Sequence, residues 1–311
     1  LGARVVLVAG EGDVDRLVPG LAIDTPAACD VTAASVADAL ADADVVVVEN
    51  LLSLPLNPRA AAAVASVLQG RPALLRHHDL PWQRERFAGW PPPPDDPTWA
   101  HVTINRMSAW ELAARGVRAT TMYNAFDTSV RLAPRLEARE RLGLSADPDS
   151  RLVLQPTRAI ARKDVPAGLR LAAALDASYW LTGPAEEGYG PVLAALLDDA
   201  AVPVLHRPVD DMALAYGACD VVAFPSTFEG FGNPVIESAV YRRPLAVADY
   251  PVLRELAAFG FRWFPAAAPD RLAEIDQAAV DHNAAVAHAH FSVDALPERL
   301  GRLFEAQGWA L

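Results

Sequence analysis

The stretch FPSTFEGFGNPVIESAVYRRP, residues 224–244, decides how this chain is read. An apolar strand (DVVAFPS, 220–226) runs into a loop with two glycines, and an amphipathic helix opens behind it. Asn233 reads as the N-cap and Pro234 as the first helical residue, where a missing N–H costs nothing. Gly230 and Gly232 let the backbone approach a ligand closely. The helix N-terminus adds free N–H groups and positive partial charge. Glu229 in the loop and Glu237 in the helix stand eight residues apart, so they can flank one elongated ligand. Carboxylates suit vicinal hydroxyls, because two acceptor oxygens meet two O–H donors. Glu237 alone would be explained as well by the helix dipole; the glycine loop and the second carboxylate favour a ligand.

A strand–loop–helix of this kind belongs in a parallel sheet, and the rest of the chain supplies one twice. RVVLVAG (4–10), DVVVVE (44–49), ALLRH (73–77), HVTIN (101–105) and RATTMY (118–123) read as strands. AASVADALA, PRAAAAVASVLQG and SAWELAARG read as helices between them, the last two closing on glycine. RLVLQ (151–155), YWLTG (179–183), PVLH (203–206), DVVAFPS and PLAVA (244–248) repeat the pattern, with helices at PVLAALLDDA, DDMALAYGA and PVIESAVYRR. The expectation is an α/β protein of two Rossmann-like domains, with ligands in the cleft at the strand carboxyl ends. The boundary falls near residues 126–133: domain one over 1–128, domain two over 129–290, and 291–311 (from FSVDALPERLGRLFEAQ onward) set apart as a final amphipathic helix.

Composition narrows the function. A net charge of −12 argues against nucleic acid or an anionic membrane as the main partner, but not against a small anion held by a local cluster of donors. No apolar run approaches the ~20 residues of a membrane span, and LGARVVLVAG reads as a buried strand instead of a cleavable signal. Cys29 and Cys219 lie far apart without CxxC spacing, which fits a reducing cytoplasm.

Lys163, in LQPTRAIARKD (154–164), is the only lysine beside 26 arginines. It follows Arg158 by five residues, just after the first strand of the second half. Together with EGFGNPVIE (229–237), this pair makes the chain resemble the retaining glycosyltransferases of family four, which have the GT-B fold. YNAFD (123–127) is similar to the family's inter-domain stretch, and HHDLPW (77–82) to its strand-end His-Asp in the first domain. The QPTR, RK and HHD versions of these motifs look like a branch that includes mannosylglucosylglycerate-type synthases. The resemblance implies that Arg158 and Lys163 hold the diphosphate of a nucleotide-sugar of the GDP-mannose or UDP-glucose type. Glu237 would take the ribose hydroxyls. Glu229, Gly230, Phe231, Gly232, Asn233 and Pro234 would line the donor sugar and its phosphates. His78 would sit beside the reacting sugar; its neighbour His77 lies one residue of slip away.

The implied activity is transfer of a hexose to a hydroxyl acceptor with retention, without cofactor or metal. His78, Arg158, Lys163 and Glu229 are the catalytic candidates. A non-catalytic nucleotide-sugar-binding partner subunit and a sugar-nucleotide epimerase on the same fold remain the alternatives, and peripheral membrane contact stays open. Relative to the family, the chain reads as starting at the second strand: either it lacks the first βα unit by nature, or it is a fragment, or AGEGD (9–13) does that unit's work. Asn233 stands where Leu is commonest, and Tyr241 where a small residue is usual. Base recognition is expected from backbone near His206–Pro208. The D-x-D strings at 13–15, 42–44 and 147–149 are what an acidic chain produces by chance, and the histidines of DHNAAVAHAH (281–290) lack zinc spacing.

Overall fold

The computed structural model describes residues 2–23, 30–54 and 56–309; Cys29 lies outside the described residues. The chain forms two compact units that divide at Tyr123/Asn124, with the segment from Leu296 belonging to the first.

In the first unit, β1 (Val8–Ala9) and β2 (Arg16–Leu17) form a small parallel pair of their own. Then follow α1 (Ala33–Ala39), β3 (Val46–Glu49), α2 (Pro58–Leu68), β4 (Ala73–His77), β5 (Trp99–Thr103), α3 (Arg106–Ala113) and β6 (Ala119–Thr121). β3 to β6 lie side by side in chain order as a parallel sheet. Side-chain caps start the helices: Asn57 accepts from the Ala60 N–H and Asn105 from the Ser108 N–H. The buried strand expected over 4–10 shrinks to two residues, and Val5 and Leu7 are 75% and 56% exposed. An apolar run becomes a buried strand only where a ladder and an apolar face receive it, and here its one partner is the two-residue β2.

The second unit carries α4 (Arg135–Arg141), β7 (Arg151–Gln155), α5 (Val165–Ala174), β8 (Ala177–Leu181), α6 (Gly190–Asp198), β9 (Val204–His206) and α7 (Met212–Ala218). It continues with β10 (Val221–Phe224), α8 (Asn233–Val240), β11 (Leu245–Val247), α9 (Leu253–Ala257), β12 (Phe264–Pro265) and α10 (Gln277–Phe291). Its parallel sheet has the order β12-β11-β10-β7-β8-β9. The chain winds outward from β7 to β9, then returns to the other side of β7 to lay down β10 to β12. The strand order therefore reverses between β7 and β10, and a crevice opens outside their carboxyl ends.

The final amphipathic helix expected over 291–307 is two elements. Ser292 is extended, and its Oγ accepts from the Asp294 N–H at 3.2 Å, a local turn that competes with the helix. α10 stops at Phe291, and α11 (Leu296–Ala306) returns to the first unit. There Leu303 and Phe304 pack on Leu74, Ala100, Val102 and Met122. The units thus divide five residues before the 128/129 boundary of the sequence reading, and residues from Leu296 are part of a domain instead of an appendage. No helix among the described residues is long and apolar enough to cross a membrane.

One glycine fixes how α5 seats on the sheet. A Cβ on Gly168 would lie 2.2 Å from Gln155 Oε1 and 2.9 Å from the Tyr179 ring. Helix propensity alone would make Gly168→Ala stabilising by about 1 kcal/mol. Overpacking should reverse the sign, with a net loss of about 1–3 kcal/mol in urea unfolding. An unchanged or raised midpoint would contradict the steric reading.

Candidate functional site

The two loops that leave β7 and β10 meet at the switch point. Gln155, buried at the end of β7, governs the first. Its Nε2 donates to the Lys163 carbonyl at 2.9 Å and to Thr157 Oγ1 at 3.3 Å, while its Oε1 accepts from the Tyr179 hydroxyl at 2.7 Å. The loop closes with a 3₁₀ turn, Ala161–Lys163, and Asp164 in the left-handed region at φ 45°. Aspartate tolerates that conformation, and its side chain caps α5 through the Ala167 N–H at 3.1 Å.

This bend turns Lys163 inward, leaving it 8% exposed. Its Nζ donates to Glu229 Oε1 at 2.5 Å and lies 5.4 Å from the centre of the Phe224 ring. Burial lowers the lysine's pKa; the Glu229 carboxylate opposes that, and the like charges of Arg162 and Arg158 add to it. Three cations thus share one electrostatic neighbourhood. Arg158 itself is 47% exposed and pairs with Glu186 at 2.6 Å.

The second loop departs from expectation at the helix start. Gly232, not Asn233, is the N-cap, with φ 94°. A Cβ there would come within 2.2 Å of the Tyr250 hydroxyl, so the turn needs glycine. Asn233 and Pro234 become the first two helical residues, and no side chain caps the helix. The Asn233 Oδ1 instead accepts from Asn124 Nδ2 at 2.9 Å. The Phe231 ring is committed to the core, stacked on Phe126 and edge-on to Phe291, so this residue offers the site its backbone rather than its ring. Pro234 is buried.

Glu237 lies on the second turn of α8 and accepts from the Tyr216 hydroxyl at 2.6 Å. Burial raises its pKa, and the tyrosine bond works against that. The Tyr216 ring stacks on Tyr241 at 4.5 Å. His206 ends β9 and bonds the Gly183 carbonyl at 3.0 Å, and the Arg207 carbonyl accepts from Trp180 Nε1. The structure therefore joins Lys163 and Glu229 directly and brings Arg158 within their field. Sequence reasoning missed Arg162, Tyr216 and Glu186. Arg162, beside the lone lysine, carried the one signal available.

In the first unit the two neighbouring histidines separate. His77 is 1% exposed and belongs to a buried chain: Ser53 Oγ to His77 Nδ1 at 2.6 Å, His77 Nε2 to His101 Nδ1 at 2.9 Å, His101 Nε2 to Asp95 Oδ1 at 3.1 Å. A carboxylate can only accept, so His101 Nε2 donates to it and every later direction follows: His77 donates to His101, and Ser53 donates to His77. Both rings are neutral and fully used. His78 lies outside this chain. Its side chain is 38% exposed and its Nε2 bonds Glu49 Oε2 at 2.7 Å. Burial works to raise the Glu49 pKa, but the His78 and Arg76 contacts outweigh it and hold it below the usual range. Asn50, in the left-handed region at φ 60°, accepts from the backbone N–H groups of His78 and Asp79 at 2.9 and 3.2 Å and so shapes the turn that presents His78.

Known proteins resemble this geometry. The family described as "Glycosyl transferases group 1" matches residues 164–279, a span that contains Glu229 and Glu237 and begins one residue after Lys163. A mannosylglucosylglycerate synthase of Petrotoga mobilis is 25% identical over 71% of this chain, which spans 63% of that enzyme's length. The protein of that name from Thermotoga maritima is 24% identical over 85% of the chain and 77% of its own. Anabaena HepE, solved with UDP and glucose, superposes with a TM-score of 0.69 at 19% identity, covering 88% of this chain and 80% of HepE. Sucrose-phosphate synthase of Thermosynechococcus elongatus gives 0.69 at 16%, covering 88% and 76%. The fold is GT-B.

The histidine chain makes stability depend on pH. Burial first, then the repulsion that a proton on His77 would meet from His101 and His78 when they are charged, hold His77 down to about 3 from its ordinary 6.5. The unfolded chain takes up a proton below 6.5 that the native state refuses. Stability is therefore complete above that pH and is lost as pH falls from 6.5 toward 3. The slope from this one group is about 1.4 kcal/mol per pH unit. Urea titrations between pH 7.5 and 4.5 should show it, and His77→Gln should flatten it by one proton. An identical slope in the variant would contradict the assignment.

Proposed function

We propose that this chain, whose residues 164–279 match the group 1 glycosyl transferase family, transfers a hexose from a nucleoside diphosphate sugar to a hydroxyl acceptor. The observation that carries the reading is the buried Lys163–Glu229 pair at the β7/β10 switch point, beside a helix N-terminus with no side-chain cap. A binding site for a neutral sugar on an anionic diphosphate needs both signs of charge side by side. That pair supplies them.

In this reading Lys163 and Arg158 hold the diphosphate, aided by the N-terminus of α8. Glu237, held toward its ionised, accepting form by its Tyr216 bond, takes the ribose hydroxyls. Glu229 and the backbone at Gly232 and Asn233 take the hydroxyls of the sugar. As the glycosidic bond breaks, negative charge grows on the leaving diphosphate, where the ammonium of Lys163 stabilises it; the sugar becomes oxocarbenium-like. The leaving oxygen then accepts the acceptor's proton, which delivers the new bond on the same face and retains the configuration. HepE was solved with UDP and UDP-glucose, which favours that donor class; GDP-mannose is the second donor to try. The Petrotoga and Thermotoga names favour a small glycoside as acceptor.

The test is turnover with UDP-glucose and GDP-mannose, each with and without glycoside acceptors. Acceptor-dependent release of nucleoside diphosphate is expected. Isomerised donor without acceptor would indicate an epimerase, and binding without turnover a partner subunit. Turnover should persist in EDTA, because arginine and lysine supply the charge that a metal supplies elsewhere. Loss in EDTA restored by Mg²⁺ or Mn²⁺ would overturn that part.

Lys163→Arg is the sharper test. The ammonium sits in a nearly closed space, 2.5 Å from Glu229 and over the Phe224 ring. A planar fork is wider than the ammonium it would replace between those two groups. Charge would be kept but displaced by ~1 Å, which costs about 10²-fold in kcat. Near wild-type kcat in a folded variant would show that any cation serves at this position.

A further inference from the structure

Lys163 and Glu229 each have two duties in the proposed function, and the duties conflict. Lys163 must turn to the diphosphate, yet it is the cation on Glu229 Oε1. Glu229 is 7% exposed, and a carboxylate left without a partner at that depth is strongly destabilising. Something else must hold it.

Arg162 is built to do so. Its Nη1 donates to Glu229 Oε2 at 3.0 Å, the oxygen that Lys163 leaves free, and to the Phe228 carbonyl at 3.0 Å. Its own carbonyl accepts from the Thr227 N–H at 2.9 Å and from Thr227 Oγ1 at 3.3 Å. One residue therefore grips three consecutive positions of the β10–α8 loop, 227, 228 and 229, through its guanidinium and its backbone carbonyl. The two cations divide a single carboxylate, one oxygen each. They differ in what anchors them. Lys163 meets the carboxylate through a single ammonium on a flexible stem; the Arg162 guanidinium is tied to a backbone carbonyl as well as to the carboxylate.

We infer that Arg162 is a positioning residue, resting on the nucleotide-sugar reading above: it keeps Glu229 paired and aimed at the donor sugar when Lys163 passes to the diphosphate. Its Nη1 and its carbonyl are committed to the loop, so Arg162 is assigned to Glu229 and not to the diphosphate. The consequence is a split between two ligands that differ only in the sugar. A nucleoside diphosphate needs Lys163 but not Glu229. A nucleotide-sugar needs both.

Calorimetric titration with UDP and UDP-glucose, and with GDP and GDP-mannose, reads the split. In Arg162→Gln, affinity for the nucleotide-sugar should fall about 10- to 30-fold while that for the bare diphosphate stays within about threefold. Arg162→Lys, which restores charge but one anchor only, should recover part of the loss. Circular dichroism and melting check the fold of both. Should Arg162→Gln fail to fold, Lys163→Gln asks the same question from the other side: diphosphate affinity falls, but the increment contributed by the sugar remains, because Arg162 still holds Glu229. Equal loss for both ligands in Arg162→Gln would make Arg162 a phosphate ligand. No loss for either would make it idle, and loss of the sugar increment in Lys163→Gln would give the holding role to the lysine; each overturns the inference. Wild-type protein that binds none of the four ligands would instead sink the nucleotide-sugar reading, and this inference with it.

Discussion

A buried ammonium is tolerable only beside a carboxylate, and the second unit is arranged around that requirement at Lys163. Desolvation presses the lysine toward its neutral form, and Glu229 resists. The pair gives little net stability by itself, since two ions have been taken out of water to make it. It gives readiness instead. The charges are already desolvated and paired, so an anion that met this cation would not have to strip it of a full hydration shell.

Keeping the pair in place falls to uncharged groups behind it. Gln155 spends its whole amide on the Lys163 carbonyl, Thr157 and Tyr179. Gly168 leaves room for that amide, and Gly232 leaves room for the Tyr250 hydroxyl under the opposite loop. Two tight approaches, one under each loop, set the distance between the lysine's loop and the glutamate's loop. The site is thus specified by packing at the strand ends more than by the charged residues that would do the chemistry.

The first unit solves a related problem by removing charge. A run of two histidines at the end of β4 could direct either ring to solvent. The Ser53–His77–His101–Asp95 chain absorbs the first completely, with each donor matched to an acceptor and no proton to spare. His78 then projects from a turn shaped by Asn50 and braced by Glu49. Burying one histidine neutral leaves its neighbour as the ring that reaches the surface.

Residue type and spacing were enough for the α/β class, for both halves of the strand–helix alternation, and for the glycine loop with its flanking carboxylates. These depend on local rules: period, caps, turn chemistry, one loop after one strand. The sequence alone did not tell His77 from His78, did not place the cap at Gly232, broke no helix at Ser292, and assigned no work to Arg162, Tyr216 or Gln155. Each of those depends on what lies across the fold: His101 and Asp95 on other segments, the Tyr250 hydroxyl beneath a turn, the β10 loop 65 residues beyond Arg162. Partners that distant in sequence carry no periodic signature, and a buried polar group takes its role from whichever partner the packing brings within hydrogen-bond reach.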